Sequence, residues 1–187
     1  MKIRLASPLQ KGSIVDGTGI RAVVWTQGCS HNCPSCHNPE THSFDGGFVI
    51  DTSEIKKEIG NLKAEEGITF SGGDPMMQAT ACLDIAKYAK EKKLNIWCYT
   101  GFTFEELLKM SKTKPSILKF LELIDILVDG RFVLKEKSLN LKFRGSRNQR
   151  IIDVHKSLKT NRVVIKRSLM KEDTNKIIKK IEEDIYI

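Results

Sequence analysis

Residues 21–38 read Arg-Ala-Val-Val-Trp-Thr-Gln-Gly-Cys-Ser-His-Asn-Cys-Pro-Ser-Cys-His-Asn. The apolar, β-branched run from Ala22 to Thr26 has the make-up of a buried strand. It leads without a break into three cysteines within eight residues, Cys29, Cys33 and Cys36. Thiolates are soft ligands, and short loops that hold several of them bind zinc or iron–sulfur clusters. A closed zinc site needs four ligands and a cubane has four irons. Three thiolates leave the fourth partner to a nearby histidine or to something that is not protein.

The rest of the chain reads as one α/β domain over residues 1–187, with a core at roughly 10–165 and a charged helical tail at roughly 168–187. Asp51 and Glu54 have the spacing of a capping box for a helix to about Lys63. Gly67 to Phe70 is a short strand, followed by Ser71-Gly72-Gly73-Asp74-Pro75. There Asp74 suits an N-cap, with Pro75 as first residue of a helix to about Lys92. Asn95 to Thr100 is a third strand, and Thr103 with Glu106 caps a helix towards Met110. A helix from about Pro115 leads into the strand Ile124 to Asp129. The pattern resumes at Arg150 to Val154 and Arg162 to Ile165, and a charged helix with Ile177, Ile178 and Ile181 closes the chain.

Strands alternating with helices predict parallel βαβ units. The units are too few for an eight-fold barrel, and a partial, open β/α barrel fits the count. In such folds ligands sit at the carboxyl ends of strands. Four loops would meet on that rim: the cysteine loop, Gly72-Gly73-Asp74, Thr100-Gly101 and Asp129-Gly130.

Five cysteines, an odd number with three clustered, do not make a disulfide framework, and a reducing compartment suits a thiolate cluster. No stretch is long and apolar enough to span a membrane and no signal peptide opens the chain, so a cytoplasmic location is expected. The net charge of +8 is spread among acidic residues along predicted helices, which fits a solvated surface or a docking face for an acidic protein. No nucleic-acid module is present in the pattern.

A Cys₃His zinc site would use Cys29, Cys33, Cys36 and either His31 or His37. His31 lies inside the loop and His37 directly follows a cysteine, so either would strain to close a tetrahedron. Cys82 in a helix and Cys98 in an apolar strand read as small buried hydrophobes. No Ser–His–Asp or paired-carboxylate constellation stands out.

The C-x-x-x-C-x-x-C spacing after one strand and Ser71-Gly72-Gly73-Asp74-Pro75 after the next resemble the radical S-adenosylmethionine superfamily. Asp16 to Arg21, Gln27 to Thr41, Tyr99-Thr100-Gly101, Leu127 to Gly130 and Phe143 to Arg150 narrow the resemblance. Together they are similar to the activating enzymes of anaerobic (class III) ribonucleoside-triphosphate reductases, over roughly residues 10 to 165. Thr18 and Arg147 depart from the usual proline and serine. Ser35 stands where many radical enzymes carry an aromatic that touches adenine, although small residues are usual in this family.

The resemblance implies a [4Fe-4S] cluster held by Cys29, Cys33 and Cys36, with one open iron that chelates S-adenosylmethionine. It implies cofactor contacts at Ser35, Cys36, His37, Gly72, Gly73, Asp74 and Asp129, with His37 flat against the adenine. Glycines at 72 and 73 would let backbone approach the ligand, and Asp74 would suit its ammonium. The reaction implied is electron transfer from an external low-potential donor such as a flavodoxin or ferredoxin, giving a 5′-deoxyadenosyl radical. That radical would take hydrogen from a glycine of the reductase, the protein substrate. The hard chemistry is then the cofactor's, and no side chain need act as acid or base. Activation of another glycyl-radical enzyme, of the pyruvate formate-lyase type, and a non-catalytic zinc or iron–sulfur module are the alternatives.

Overall fold

A computed structural model describes residues 1–170. The eight strands are β1 (Lys2–Leu5), β2 (Gln10–Ser13), β3 (Arg21–Thr26), β4 (Phe48–Asp51), β5 (Gly67–Gly72), β6 (Asn95–Tyr99), β7 (Ile126–Asp129) and β8 (Arg150–Asp153). They form one mixed sheet in the order β4-β1-β3-β5-β6-β7-β8, with β2 also paired to β3. The centre is parallel, β3 with β5, β5 with β6 and β6 with β7. The flanks are antiparallel: β1, β2 and β4 on one side and β8 on the other.

Side chains alternate across these strands, as the pleat requires. Ile68 and Phe70 of β5, Ile96 and Cys98 of β6, Leu127 of β7 and Ile152 of β8 enter the main core. That core is closed by helices α1 (Thr52–Gly60), α2 (Ala79–Glu91), α3 (Phe104–Ser111) and α4 (Pro115–Leu121). Phe70 meets Phe120 edge to face at 5.1 Å. Trp97, Ile126, Val128 and Ile151 form a separate cluster, drawn from the alternate positions of the same strands. A fifth helix, α5 (Val154–Thr160), follows β8 with Asp153 as its N-cap.

Both expected capping boxes are present. Asp51 Oδ1 accepts from Ser53 N–H while Asp51 N–H donates to Glu54 Oε1. For α3, Thr103 Oγ1 accepts from Glu106 N–H while Thr103 N–H donates to Glu106 Oε2. Several boundaries differ from expectation. Helix α1 stops at Gly60, capped by Asn61, and β7 starts only at Ile126. Asp74 caps a 3-10 turn, Pro75–Gln78, before α2 begins. The expected strand at Arg162 to Ile165 reduces to one bridge, Ile165 with Ile152. The tail helix expected around Ile177, Ile178 and Ile181 lies outside the described residues. No helix among the described residues is long and apolar enough to cross a membrane.

Arg21, at the start of β3, is fully buried, and its guanidinium sits over the Trp97 ring at 5.5 Å. Its donors go to Thr69 Oγ1 (2.6 Å), Thr18 O (3.0 Å), Asn95 Oδ1 (2.7 Å), Ile68 O (2.8 Å) and Asn95 O (3.3 Å). Every acceptor is neutral, and burial draws the guanidinium down to about 10. Gly17, at φ +132°, is needed beside it, because a Cβ there would lie 2.8 Å from Arg21 Cδ and from the Trp97 ring. The Asp16 to Arg21 motif is thus wound against the sheet by this arginine. Arg21→Met keeps the volume but strands those acceptors, each worth about 1–3 kcal/mol when left unsatisfied. A loss of more than about 3 kcal/mol in urea denaturation is expected; a loss below about 1 kcal/mol would contradict this role.

Candidate functional site

The cysteine loop is pinned at both ends before any cysteine is reached. Gly28 N–H donates to Thr41 O (2.8 Å) and Cys29 N–H to His42 O (3.0 Å). Gln27, buried, spans the neck with Nε2 on Ser43 O (2.7 Å) and Glu40 O (3.2 Å). Between the cysteines the chain turns through the left-handed region twice, at Asn32 (φ +45°) and Ser35 (φ +57°). Asn tolerates that region, and a small Ser is less strained there than a bulky residue. Cys36 N–H donates to Cys33 O (3.1 Å), and Asn38 N–H to Cys36 Sγ (3.5 Å). Cys29, Cys33 and Cys36 are free, partly buried, and line one cavity of about 710 Å³. Burial pushes the Cys29 thiol above its ordinary value. Burial also pushes up Cys82 and Cys98, both in the main core.

Gly72 and Gly73 line the same cavity, and the backbone explains why both are glycine. Gly72 has φ +101°, and a Cβ there would fall 2.4 Å from Thr26 O. A Cβ at Gly73 would fall 2.4 Å from Gly28 O and 2.8 Å from Thr41 O. This close approach lets Gly73 N–H reach Thr26 O (2.7 Å) and Asp74 N–H reach Gly28 O (2.9 Å). The Gly-Gly loop is thereby laced to the neck of the cysteine loop.

The four loops expected on one rim do meet there, since Thr100, Gly101 and Gly130 also line the cavity. Three of the anticipated contact residues do not. Asp74 is fully buried behind the rim, and its carboxylate accepts from Met76 N–H (3.0 Å), Thr100 Oγ1 (2.9 Å), Gly101 N–H (3.0 Å) and His31 Nε2 (2.9 Å). Asp129 is equally buried and accepts from Phe104 N–H (2.7 Å) and from Arg150 Nε (2.9 Å) and Nη2 (2.5 Å). Ser35 is exposed and outside the lining. His37 lines the cavity, with its ring 5.1 Å from that of Phe132.

Phe132, Phe143 and Gln149 also line it and had no sequence signal as site residues. Gln149 closes its own loop, accepting at Oε1 from Gly145 N–H (2.8 Å) and Ser146 N–H (3.1 Å) and donating to Gly130 O (3.0 Å). Arg144 donates to Arg147 O, Gln149 O and Met170 O. The Phe143 to Arg150 segment therefore shapes one wall of the cavity, held by bonds within itself and to Gly130 and Met170.

A family model described as a 4Fe-4S single cluster domain matches residues 15–152. Relatives named anaerobic ribonucleoside-triphosphate reductase-activating protein align over most of the chain. Those of Haemophilus influenzae and Vibrio cholerae are 32% and 34% identical over 144 residues, covering 73% of this chain and 89% of each relative. That of Escherichia coli is 32% identical over 145 residues, covering 73% of this chain and 90% of its own. The chain belongs to this activating-protein family. The solved structure of QueE from Escherichia coli overlays 55% of this chain and 54% of its own at a TM-score of 0.48 and 16% identity, too distant a likeness to bear on fold or site.

The donor set in this family member fits an iron–sulfur cluster. Three free thiols share one cavity, and thiolate is the ligand such clusters take. The Cys₃His zinc alternative is disfavoured by the histidines themselves. His31 spends Nε2 on Asp74 and packs edge to face on Phe102, while His37 lies against Phe132.

Arg150 also bridges to Glu105 (2.6 and 3.1 Å), and this hydrogen bond holds the Glu105 carboxyl below the ordinary range. Removing Arg150 would leave the buried Asp129 carboxylate with a single donor. Arg150→Ala is therefore expected to cost about 3–5 kcal/mol in chemical denaturation. A change under about 1 kcal/mol would mean that Asp129 is not held structurally.

Proposed function

We propose that this protein activates an anaerobic ribonucleoside-triphosphate reductase by radical S-adenosylmethionine chemistry. The observation that carries the proposal is the placing of three free thiols and the Gly72-Gly73 backbone on one cavity of about 710 Å³. That volume lies within the range of small-molecule sites. Family membership supports the target, because the relatives carry that activity in their names.

Cys29, Cys33 and Cys36 would hold three irons of a [4Fe-4S] cluster and leave the fourth to the amino and carboxylate groups of S-adenosylmethionine. Such a cofactor pair supplies one-electron cleavage of the sulfonium, with hydrogen abstraction from a reductase glycine as the outcome. The chain's own residues bind, orient and exclude water. Gly72 and Gly73 offer backbone to the methionine end, and Cys36 and His37 flank the adenine end, with Ser35 giving the turn between Cys33 and Cys36. Asp74 and Asp129 serve the ligand from behind, through the loops they hold. Tyr99, Phe132 and Phe143 give the cavity an apolar wall that limits water.

The twist of β3, β5, β6 and β7 would curl the sheet into a partial barrel, open on one side to admit a protein substrate. The described residues 1–170 then form one domain, in a protein that is cytoplasmic, without nucleic-acid or membrane partners, and reduced by an external low-potential donor such as a flavodoxin or ferredoxin. The surplus of 31 Lys and Arg over 23 Asp and Glu would steer docking.

Cys36→Ala, reconstituted anaerobically with iron and sulfide, is expected to lose both the cluster's charge-transfer absorption and 5′-deoxyadenosine release. Retained cleavage of S-adenosylmethionine in that variant would contradict the ligand assignment.

A further inference from the structure

His31 stands apart from its neighbours in the cysteine loop. Ser30, Asn32, Pro34 and Ser35 are exposed, whereas the His31 side chain is only 3% exposed. It turns inward, against the end of β6. Its ring lies edge to face on Phe102 with centroids 4.3 Å apart, and Nε2–H donates to Asp74 Oδ2 at 2.9 Å. The carboxylate only accepts when ionised, so the ring nitrogen facing it carries the hydrogen.

The surroundings are shaped to receive this ring. A Cβ on Gly101 would lie 2.3 Å from His31 Cδ2, so a side chain at 101 would displace the imidazole from this position. The same Asp74 oxygen takes Gly101 N–H at 3.0 Å, and Thr100 Oγ1 lies 2.9 Å away. Three segments thus converge on one buried carboxylate: the cysteine loop through His31, the end of β5 through Asp74 itself, and the end of β6 through Thr100 and Gly101. None of these contacts involves a cysteine sulfur.

We propose that His31 is a positioning residue that clasps the three-cysteine loop, through Asp74, to the loop ending β6. The clasp orders the loop before metal binds. Ordering a loop in advance removes that cost from the binding step. His31 then acts on the thiols through the backbone between Cys29 and Cys33, and is not itself a ligand. The iron-retention part of the test rests on the function proposed above; the part on metal-free protein does not.

Hydrogen–deuterium exchange of the metal-free full chain, read by mass spectrometry over peptides spanning 28–37 and 98–104, tests the clasp. His31→Ala should speed exchange at the Gly101 amide by roughly tenfold or more, with a peptide over 124–128 unchanged as control. Thr100→Val, which removes a different donor from the same carboxylate, should give the same pattern. His31→Gln keeps an N–H within reach of Asp74 and should restore protection to within about threefold of wild type. After reconstitution with iron and sulfide, His31→Ala should lose iron to a chelator roughly tenfold faster than wild type, and His31→Gln should not. Wild-type exchange rates in both His31→Ala and Thr100→Val would overturn the proposal. Wild-type protein that took up no iron and sulfide would instead overturn the function proposed above, whatever the exchange rates.

Discussion

The buried Asp74 carboxylate is the group around which the rim is organised. It has no exposed surface, yet it takes hydrogen bonds from His31, Met76, Thr100 and Gly101. A charge away from water is tolerated only when its acceptor sites are filled. Filling them here draws donors from three different loops, so satisfying one side chain fixes the relative placement of all three. The backbone ties between Gly73 and Thr26 and between Asp74 and Gly28 act in the same direction. The two glycines allow those ties because any Cβ would strike the carbonyls opposite. Asp129 repeats the scheme on the other side of the rim, where Arg150 and the Phe104 amide hold it.

Local signals in the sequence carried well into the structure. The capping boxes at Asp51 and Thr103 depend on contacts within one turn, and both form. The central strands β3, β5, β6 and β7 are buried apolar runs followed by loops, and their parallel pairing brings the loops together as expected. The flanking strands β1, β2 and β4 escaped notice because each is only four residues long and is stabilised by antiparallel pairing, β1 to the distant β3 and β4, and β2 to the next strand, β3. The expectation of parallel units also ends at β7, since β8 returns antiparallel along it.

The site shows the same division. The thiols and glycines declare themselves through spacing and residue type. Which way a carboxylate points does not, because it depends on donors far along the chain. Asp74 and Asp129 are expected from the resemblance as ligand contacts, and in the structure both carboxylates are buried behind the cavity wall and bonded to neighbouring loops. The sequence offers His31 only as a zinc ligand strained by its place in the loop, and its burial against Phe102 and Gly101 becomes evident only in three dimensions. The segment from Phe143 to Arg150, so useful for resemblance, is a wall in which Gln149 and Arg144 tie the segment's own backbone together and to Gly130 and Met170. Family resemblance and physical role thus coincide in place without being the same information.

A thiolate loop, a rim held by buried carboxylates and membership of a family of reductase activators converge on one function, generation of a glycyl radical on a partner protein. The most direct measurement is electron spin resonance of an anaerobic ribonucleoside-triphosphate reductase mixed anaerobically with the iron-and-sulfide-loaded protein, S-adenosylmethionine and a strong reductant. A glycyl radical on the reductase is expected, accompanied by 5′-deoxyadenosine and absent when either the protein or S-adenosylmethionine is omitted. A fully loaded protein that yields neither radical nor 5′-deoxyadenosine with the reductase would contradict it.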